Sequence, residues 1–290
     1  MRRTVTLRHP KREWSYTTRF LGFDPLDGTY KVLSMPCYHR SEGENRPLVL
    51  TLNGDNQESW RLLQEITEHI PCSSGQCING VMYYFASLKL DLTDYILVSF
   101  HVRSEKMSMI KAPWKLACVR KIFLVVYHGK LACVSSKASG VTKFDDIKIW
   151  ILEDAEKHEW SYKNIHLPFL CYDPISHACL DLKGVNDAGE LIYVPLELVN
   201  PVRLLYYDPN RNSYRRVVVE GLVDDQFRRP NGLGDDDVLR TLAVYSNHIK
   251  TLMSLSVLPT NPVSVPVILD FTFSRLNFLS IDLCLLTPSR

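Results

Sequence analysis

The residues best suited to chemistry in this sequence are cysteines and histidines near the middle of the chain. Cys171, His177 and Cys179 lie close together, and His166 precedes them. Zinc prefers thiolate and imidazole ligands, but structural zinc sites space them in compact patterns such as C-x-x-C or H-x-x-x-H. These four residues follow no such pattern. Loop and core positions account for each of them, so the sequence predicts no metal site here.

Other candidate sites are equally weak. Asp235-Asp236-Asp237 could bind a divalent cation, but three acidic residues are more typical of a solvated helix start. Cys72 and Cys77 flank a glycine loop, and a disulfide between them is not expected in a reducing compartment. The nine histidines are scattered, and G-x-S-x-G and phosphate-binding glycine motifs are absent from the sequence. We therefore predict no catalytic residue and no cofactor, and a protein that is not an enzyme.

Composition limits the class of protein. The chain has 290 residues, of which 46% are hydrophobic, so it can bury a sizeable core. A net charge of +2 is too small to indicate nucleic acid or an anionic membrane as the main partner. Residues 251–269 lack charge but contain three prolines, which is atypical of a membrane span. Eight cysteines without C-x-x-C spacing, and no apolar signal peptide, predict free thiols in an intracellular protein of the nucleus or cytoplasm.

The clearest structural pattern lies in residues 191–220. Leu191–Val194, Val202–Tyr207 and Tyr214–Glu220 are rich in branched and aromatic residues, as strands are. Asp208-Pro209-Asn210 separates the last two strands, and Asp and Asn in such turns accept hydrogen bonds from their own backbone. The stretch therefore predicts three consecutive antiparallel strands.

Related strand–turn–strand units precede this one along the chain. Trp60, Met107, Trp160 and Tyr214 follow the turns of successive units and recur at a period of about 50 residues, which is typical of propeller blades. Similar units cover residues 20–33, 49–64, 97–113 and 148–168. Turn glycines that precede a strand recur as well, at Gly80, Gly129 and Gly189.

This repeat predicts an all-β fold, a β-propeller-like array of antiparallel blades. One small sheet cannot bury both faces, so neighbouring sheets must stack. A β-sandwich with evenly spaced turns is the alternative. Tyr30, Trp60, Trp160 and Tyr214 could be read as a base-stacking platform, but their common place in each unit predicts blade core instead.

The two ends of the chain differ from the repeat. Residues 1–19 are basic and predict a short strand at Thr4–Leu7, with a mitochondrial transit peptide as the alternative. Residues 171–187 and 224–237 read as irregular, and residues 246–255 as a short amphipathic helix with a polar cap. We therefore predict a domain over residues 1–255 and a diverged, proline-broken tail over residues 256–290.

Several motifs occur in order along residues 4–255. They are TVTLRHPKREWSYTTRFLGFDPLDGTYKVL (4–33), QESWR (57–61), CINGVMYY (77–84), FHVRSEKMSMIKAP (100–113), WILEDAEKHEWS (150–161) and YYDPNRNSYRRVVVEG (206–221). Together they resemble the F-box-associated domain (type 3) of plant F-box proteins, a kelch-like, β-propeller-like domain that follows an N-terminal F-box. The resemblance implies a substrate-recruiting region of an SCF ubiquitin ligase, within the protein ubiquitination pathway.

The resemblance implies a non-catalytic module whose partner is an unidentified protein substrate, met by the loops at 34–47, 86–95 and 135–146. The helical F-box is not among these residues, so we expect a Skp-type adaptor and a cullin as partners only if docking survives without it. We also expect an incomplete propeller of four to five repeats.

Two other classes of protein remain open. A ligand-binding or enzymatic propeller would need inward-facing His, Asp or Glu at matching strand starts, where Val81, Lys130 and Glu190 form no such set. A poorly folded gene remnant is the third possibility.

Overall fold

The structure is a computed structural model, and almost all of its regular structure is β-strand. The predicted all-β class is confirmed. The residues that the structure describes are 17–36, 46–52, 60–64, 67–88, 95–112, 121–136, 146–167, 172–173, 175–186, 188–219, 223–229, 241–245, 269–273 and 279–284. The chain divides into two compact units, Met1–Cys118 with Asp154–Glu159, and Val119–Glu153 with Trp160–Arg290.

The first unit contains two antiparallel sheets. Sheet A has the strand order β1-β2-β3-β4, and sheet B the order β5-β7-β8-β9, with β6 pairing to the same strand, β7, as β5. The strands are β1 Thr17–Asp24, β2 Thr29–Pro36, β3 Leu48–Leu52, β4 Arg61–Leu62, β5 Ile70–Pro71, β6 Gln76–Ile78, β7 Val81–Ser87, β8 Tyr95–His101 and β9 Met107–Ile110.

The second unit contains three sheets. Sheets C and D are four-stranded meanders in the orders β10-β11-β12-β13 and β14-β15-β16-β17, and sheet E has the order β18-β20-β19. The strands are β10 Lys121–Tyr127, β11 Lys130–Ser136, β12 Asp146–Asp154, β13 Glu159–His166, β14 Leu180–Val185, β15 Leu191–Pro195, β16 Val202–Asp208, β17 Ser213–Val219, β18 Thr241–Tyr245, β19 Leu269–Phe273 and β20 Leu279–Cys284.

Tight turns of the predicted kind join β6 to β7 in sheet B and β10 to β11 in sheet C. Asn79-Gly80 and His128-Gly129 each close a two-residue hairpin, with φ of 48° and 80° in the first and 48° and 76° in the second. Positive φ at both central residues defines a type I′ turn, which suits the twist of the flanking strands.

Each unit has a core between two facing sheets. In the first unit Phe20 and Leu33 of sheet A pack against Tyr84 and Phe100 of sheet B. Gly22 lies at this contact, where an added Cβ would approach Val102 Cγ2 to 2.6 Å. In the second unit the core joins sheets C and D, and its buried residues are Val125, Tyr127, Ala132, Val134, Ile147, Ile149, Ile165, Leu167, Leu180, Leu182, Val185, Leu191, Tyr193, Leu205 and Tyr207.

The structure corrects three expectations. First, the repeat predicts that the unit at residues 20–33 is equivalent to the one in residues 191–220. It forms the first two strands of its sheet, whereas residues 191–220 form the last three strands of theirs. Residues 171–187 are not wholly irregular, because they contain β14, with a register shift at Gly184. The predicted loop at 224–237 contains a short helix, α1, at Asp225–Arg228 with Asp224 as its N-cap.

The turn-following aromatics are not blade core. Tyr30, Trp60 and Trp160 are half-buried and Tyr214 is 45% exposed. Trp160 and Tyr214 lie on the outermost strands of their sheets, and Trp60 directly precedes such a strand. An outermost strand has a neighbouring strand on one side only. The predicted strand at Thr4–Leu7 and helix at 246–255 lie outside the described residues. Within the described ranges, no helix is both long and apolar enough to cross a membrane.

Candidate protein-interaction surface

The two ends of the four-stranded meanders differ in their connections. At one end, here called the tight-turn end, short turns join strands one to two and three to four of sheets C and D, and the β1–β2 and β8–β9 turns of sheets A and B lie at the corresponding end. At the other, the long-loop end, residues 37–47, 88–94, 137–145 and 196–201 join strands two to three. Most of the predicted recognition loops 34–47, 86–95 and 135–146 lies outside the described residues. The connection at 196–201, in sheet D, is the one that is described throughout.

Aspartates organise the tight-turn end, as the sequence predicts. Asp208 Oδ1 accepts backbone N–H bonds from Asn210 and Arg211, at 2.9 and 3.3 Å. Asp24 and Asp154 accept equivalent bonds from the turn residues that follow them. Each carboxylate thus satisfies backbone donors that a tight turn leaves without a strand partner.

In the first unit, ion pairs join the tight-turn ends of sheets A and B. Arg103 Nε donates to Asp24 Oδ2 at 2.8 Å, and Arg103 Nη2 donates to Asp27 Oδ1 at 2.6 Å. The hydrogen bond from Arg103 lowers the pKa of Asp24. Glu105 binds both Lys31 Nζ, at 2.6 Å, and Arg61. Burial raises the pKa of Glu105, but these two cations outweigh it, so the net shift is downward.

In the second unit the charged residues at the strand starts are also paired. Glu190 accepts two bonds from Arg215, at 3.0 and 2.7 Å, and this guanidinium lies 4.1 Å from the ring centre of Tyr206. The bond from Arg215 lowers the pKa of Glu190. Lys130 pairs with Glu153. Lys130 and Glu190, the charged strand-start residues considered for an enzymatic propeller, therefore serve as structural ion pairs at the turns.

The long-loop end of sheet D exposes large apolar side chains. Tyr172 is 49% exposed, Ile175 71%, Leu196 45% and Val199 70%. Two contacts bring their segments together. Tyr172 forms a β-bridge with Cys179, whose carbonyl accepts a 2.8 Å bond from the Leu196 N–H. We call these four side chains the sheet D apolar surface.

A buried ion pair holds one side of this surface in place. Arg216 of β17 donates from Nε and Nη2 to Asp173 Oδ1, at 3.1 and 2.7 Å. Asp173 also accepts bonds from the Ser176 hydroxyl, at 2.5 Å, and from the backbone N–H of Ile175, at 3.3 Å. Burial raises the pKa of Asp173, but these donors more than compensate and bring it to about 2. The 172–179 hairpin is thereby attached to β17.

This arrangement suits protein binding. Neighbouring exposed apolar side chains on a rigid sheet end are typical of interaction sites, because their burial releases water and favours association. The paired charges of Asp173 and Arg216 beside them add no net charge. The structure therefore offers an apolar contact site at the long-loop end of sheet D.

Three of the residues considered for metal binding lie in the described part of the chain. His166, His177 and Cys179 are exposed, and His177 occupies a turn position with φ of 53°. Cys171 and Asp235–Asp237 lie outside the described residues. Within the described part of the chain, no three His, Cys, Asp or Glu side chains are placed to hold a metal ion. Cys72, Cys77, Cys133 and Cys179 are free thiols.

One buried histidine lies within the first unit. His69 is 4% exposed, with Nδ1 at 2.7 Å from the Thr67 carbonyl oxygen and Nε2 at 2.7 Å from the Tyr84 hydroxyl. The carbonyl can only accept, so Nδ1 carries the proton, and the Tyr84 hydroxyl donates to Nε2 of the neutral ring. Burial lowers the pKa of His69 below its ordinary value of 6.5.

This histidine makes stability depend on pH. The imidazole of His69 binds a proton near pH 6.5 in the unfolded chain, whereas in the folded chain it does so only at lower pH. The fold therefore has its full stability above about pH 6.5 and loses stability as the pH falls below that value. We expect the free energy of unfolding to fall between about pH 7.5 and about pH 5.5, by at most about 1.4 kcal/mol per pH unit. Urea denaturation at each pH measures it.

Glutamine substitutions provide the control for this dependence. His69→Gln removes the titrating ring, so the difference in slope between it and the parent chain isolates His69. His101→Gln, at an exposed histidine of the same unit, is the matched control substitution. Identical slopes for the parent chain and His69→Gln would contradict the assignment of a neutral buried imidazole.

The architecture and the comparisons agree on the class of protein. Successive four-stranded meanders, stacked face to face within each unit, are the repeat of β-propellers. The family described as "F-box associated beta propeller domain" matches residues 1–249. The chain belongs to this family.

Related proteins come from Arabidopsis thaliana. At1g47790, whose name describes an F-box protein, is 38% identical over 259 residues, covering 88% of this chain and 63% of its own length. F-box protein At5g18160 is 37% identical over 236 residues, covering 81% of this chain and 56% of its own. The chain thus spans less than two thirds of the length of these relatives. A solved structure, a mutant Synechocystis apocarotenoid oxygenase, aligns with 77% of the chain and 54% of its own at 10% identity and a TM-score of 0.36.

Proposed function

We propose that this chain is a non-catalytic protein-interaction module that recruits a protein substrate to an SCF ubiquitin ligase. Family membership and relatives named as F-box proteins support the assignment to this pathway. In such proteins the F-box binds a Skp-type adaptor and the associated domain carries the substrate. Ubiquitin transfer takes place elsewhere in the complex, so the module needs no catalytic residue.

The observation that carries this proposal is the contrast between the two ends of the meanders. At the tight-turn end the charged side chains are engaged with one another, as in the Arg215–Glu190 and Arg103–Asp24 pairs. At the long-loop end of sheet D, Leu196 and Val199 expose apolar surface. Association gains most where apolar side chains leave water and no ion pair must be broken, so the substrate binds at the long-loop end.

Affinity purification from plant extracts tests the proposal. The tagged chain is compared with a Leu196→Asp, Val199→Asp double variant and with Leu26→Asp. Leu26 is 79% exposed in the β1–β2 turn at the tight-turn end, which makes it the matched control. We expect recovery of specific partners to fall at least about tenfold with the double variant, as when central apolar contacts of an interface are removed, and to be unchanged with the control.

Purified components then show whether the contact is direct. A recovered partner, expressed alone, should bind the parent chain and the Leu26→Asp variant but not the double variant. Equal recovery of all partners by the three proteins would overturn the proposal. The adaptor is tested separately. Direct binding of these 290 residues to a purified Skp-type adaptor would show that docking does not need the F-box helices.

A further inference from the structure

The outer strand of sheet D has the properties of a pairing edge. β17 is last in the order of its sheet and is seven residues long, whereas the corresponding strands β4 and β9 have two and four residues. None of the described strands other than β16 pairs with it. A long edge strand presents backbone donors and acceptors to any second strand that can align with it.

The charges that normally protect such an edge are drawn away from it here. Arg215 bends onto Glu190 and the Tyr206 ring, and Arg216 is held by Asp173. Three consecutive valines follow, at 217–219. β13, the other long outer strand, instead carries Glu159, Lys163 and His166. Charged residues on an edge oppose strand addition, so β17 is the less protected of the two.

The sequence of β17 is complementary to itself. The strand has seven residues, with Arg216 at its centre. When the β17 strands of two copies pair antiparallel about this centre, Tyr214 of one copy lies opposite Val218 of the other. These two are the large apolar side chains that the strand exposes, at 45% and 49%. Aromatic–β-branched pairs directly opposite each other are among the favourable cross-strand contacts. Arg216 would face its own copy, but each guanidinium is neutralised by Asp173.

We propose that two copies of this chain associate by antiparallel pairing of their β17 strands, centred on Arg216. We choose a second copy as the partner because one symmetric register pairs all seven residues of β17. In that register Tyr214 of each copy lies opposite Val218 of the other, so the exposed side chains form two such pairs. A two-fold contact of this kind closes on itself and yields a dimer. It joins the four strands of sheet D to those of the second copy in one continuous sheet.

Analytical ultracentrifugation over a concentration series tests this pairing. We expect a monomer–dimer equilibrium with a dissociation constant of roughly 1–100 µM, as for a small interface. Tyr214→Lys places an ammonium group opposite valine, and Val218→Glu places a carboxylate opposite tyrosine. Each single variant should raise the dissociation constant at least about tenfold. An equimolar mixture of the two should recover a dimer, because lysine at position 214 then faces glutamate at position 218 of the other copy.

Several results would overturn the proposal. They are a monomeric parent chain at all concentrations, a dimer that both single variants leave intact, and a mixture that fails to recover association. Leu26→Lys, a change at an exposed leucine outside β17, should leave the dimer unchanged. Thermal unfolding of each variant by circular dichroism separates loss of pairing from loss of folding. A monomeric chain whose β17 variants lose a purified partner would assign the edge to a foreign strand instead.

Discussion

Replacing Tyr84 with alanine should lower the free energy of unfolding by about 4 kcal/mol, since truncation of a buried aromatic ring costs about 3–5 kcal/mol. Tyr84 is fully buried in β7, and its ring stacks on Phe20 with centroids 4.4 Å apart. The substitution leaves a cavity between sheets A and B and removes the hydroxyl that donates to His69.

A phenylalanine variant separates these two effects. Tyr84→Phe keeps the ring and its packing but leaves buried Nε2 of His69 without its donor, which should cost about 1–3 kcal/mol. Urea denaturation of the three chains, monitored by far-ultraviolet circular dichroism, measures both differences.

An exposed tyrosine supplies the control. Tyr162→Ala changes a residue that is 65% exposed and contacts Trp150 at a ring-centroid distance of 5.1 Å. We expect it to cost less than about 1 kcal/mol, because most of this ring is already in water. Equal losses for Tyr84→Ala and Tyr162→Ala would contradict a packed core between sheets A and B.

The sequence predicts the strands of sheet D closely because they carry a strong local signal. Leu191–Val194, Val202–Tyr207 and Tyr214–Glu220 correspond to β15, β16 and β17 to within one residue at each end. Branched and aromatic residues define the strands, and the turn at Asp208 separates them. The period of about 50 residues likewise follows from local turn chemistry.

Other features could not be predicted because they depend on the place of a strand within its sheet. The Asp24 hairpin and the Asp208 hairpin look alike in sequence, yet one joins the first two strands of a sheet and the other the last two. The repeat predicts that the aromatic residue after the turn belongs to a core, but Tyr214 lies on an outer strand.

The candidate interaction surface is the least predictable part of the molecule. Leu196 and Val199 follow the predicted strand Leu191–Val194, and nothing in the local sequence marks them as exposed. The pair that attaches the 172–179 hairpin joins Asp173 to Arg216, 43 residues further along the chain. The sequence predicts an irregular segment at residues 171–187, and nothing in it indicates which strand would hold the hairpin found there.

Replacing Arg216 with methionine should lower the free energy of unfolding by about 3 kcal/mol, since removal of one partner leaves a buried charge uncompensated. Asp173 is 5% exposed and receives both of the bonds from this guanidinium. The Ser176 hydroxyl still donates to the carboxylate, which keeps the loss at the lower end of the range of about 3–5 kcal/mol for such pairs.

The same pair contributes to the dependence of stability on pH in acid. Because the pKa of Asp173 is about 2 in the folded chain and its ordinary value is 3.8, the stabilisation is complete above about pH 4 and is lost as the pH falls towards 2. The difference between the two pKa values of Asp173 corresponds to a stabilisation of about 2 kcal/mol. In Arg216→Met the pKa of Asp173 in the folded chain should rise, so the loss of stability on acidification should become smaller, because the folded and unfolded chains then differ less in proton uptake. Urea denaturation from about pH 7 to about pH 3 measures both effects.

A double-mutant cycle identifies the cause of this effect. Asp173→Asn combined with Arg216→Met leaves no buried charge, so the double variant should be more stable than Arg216→Met alone. Arg211→Met, at an arginine whose side chain is 84% exposed and 3.6 Å from Asp208, should cost less than about 0.5 kcal/mol. If the single and double variants at Asp173 and Arg216 lost stability additively, the two side chains would not be coupled, and the 172–179 hairpin would be held by other contacts.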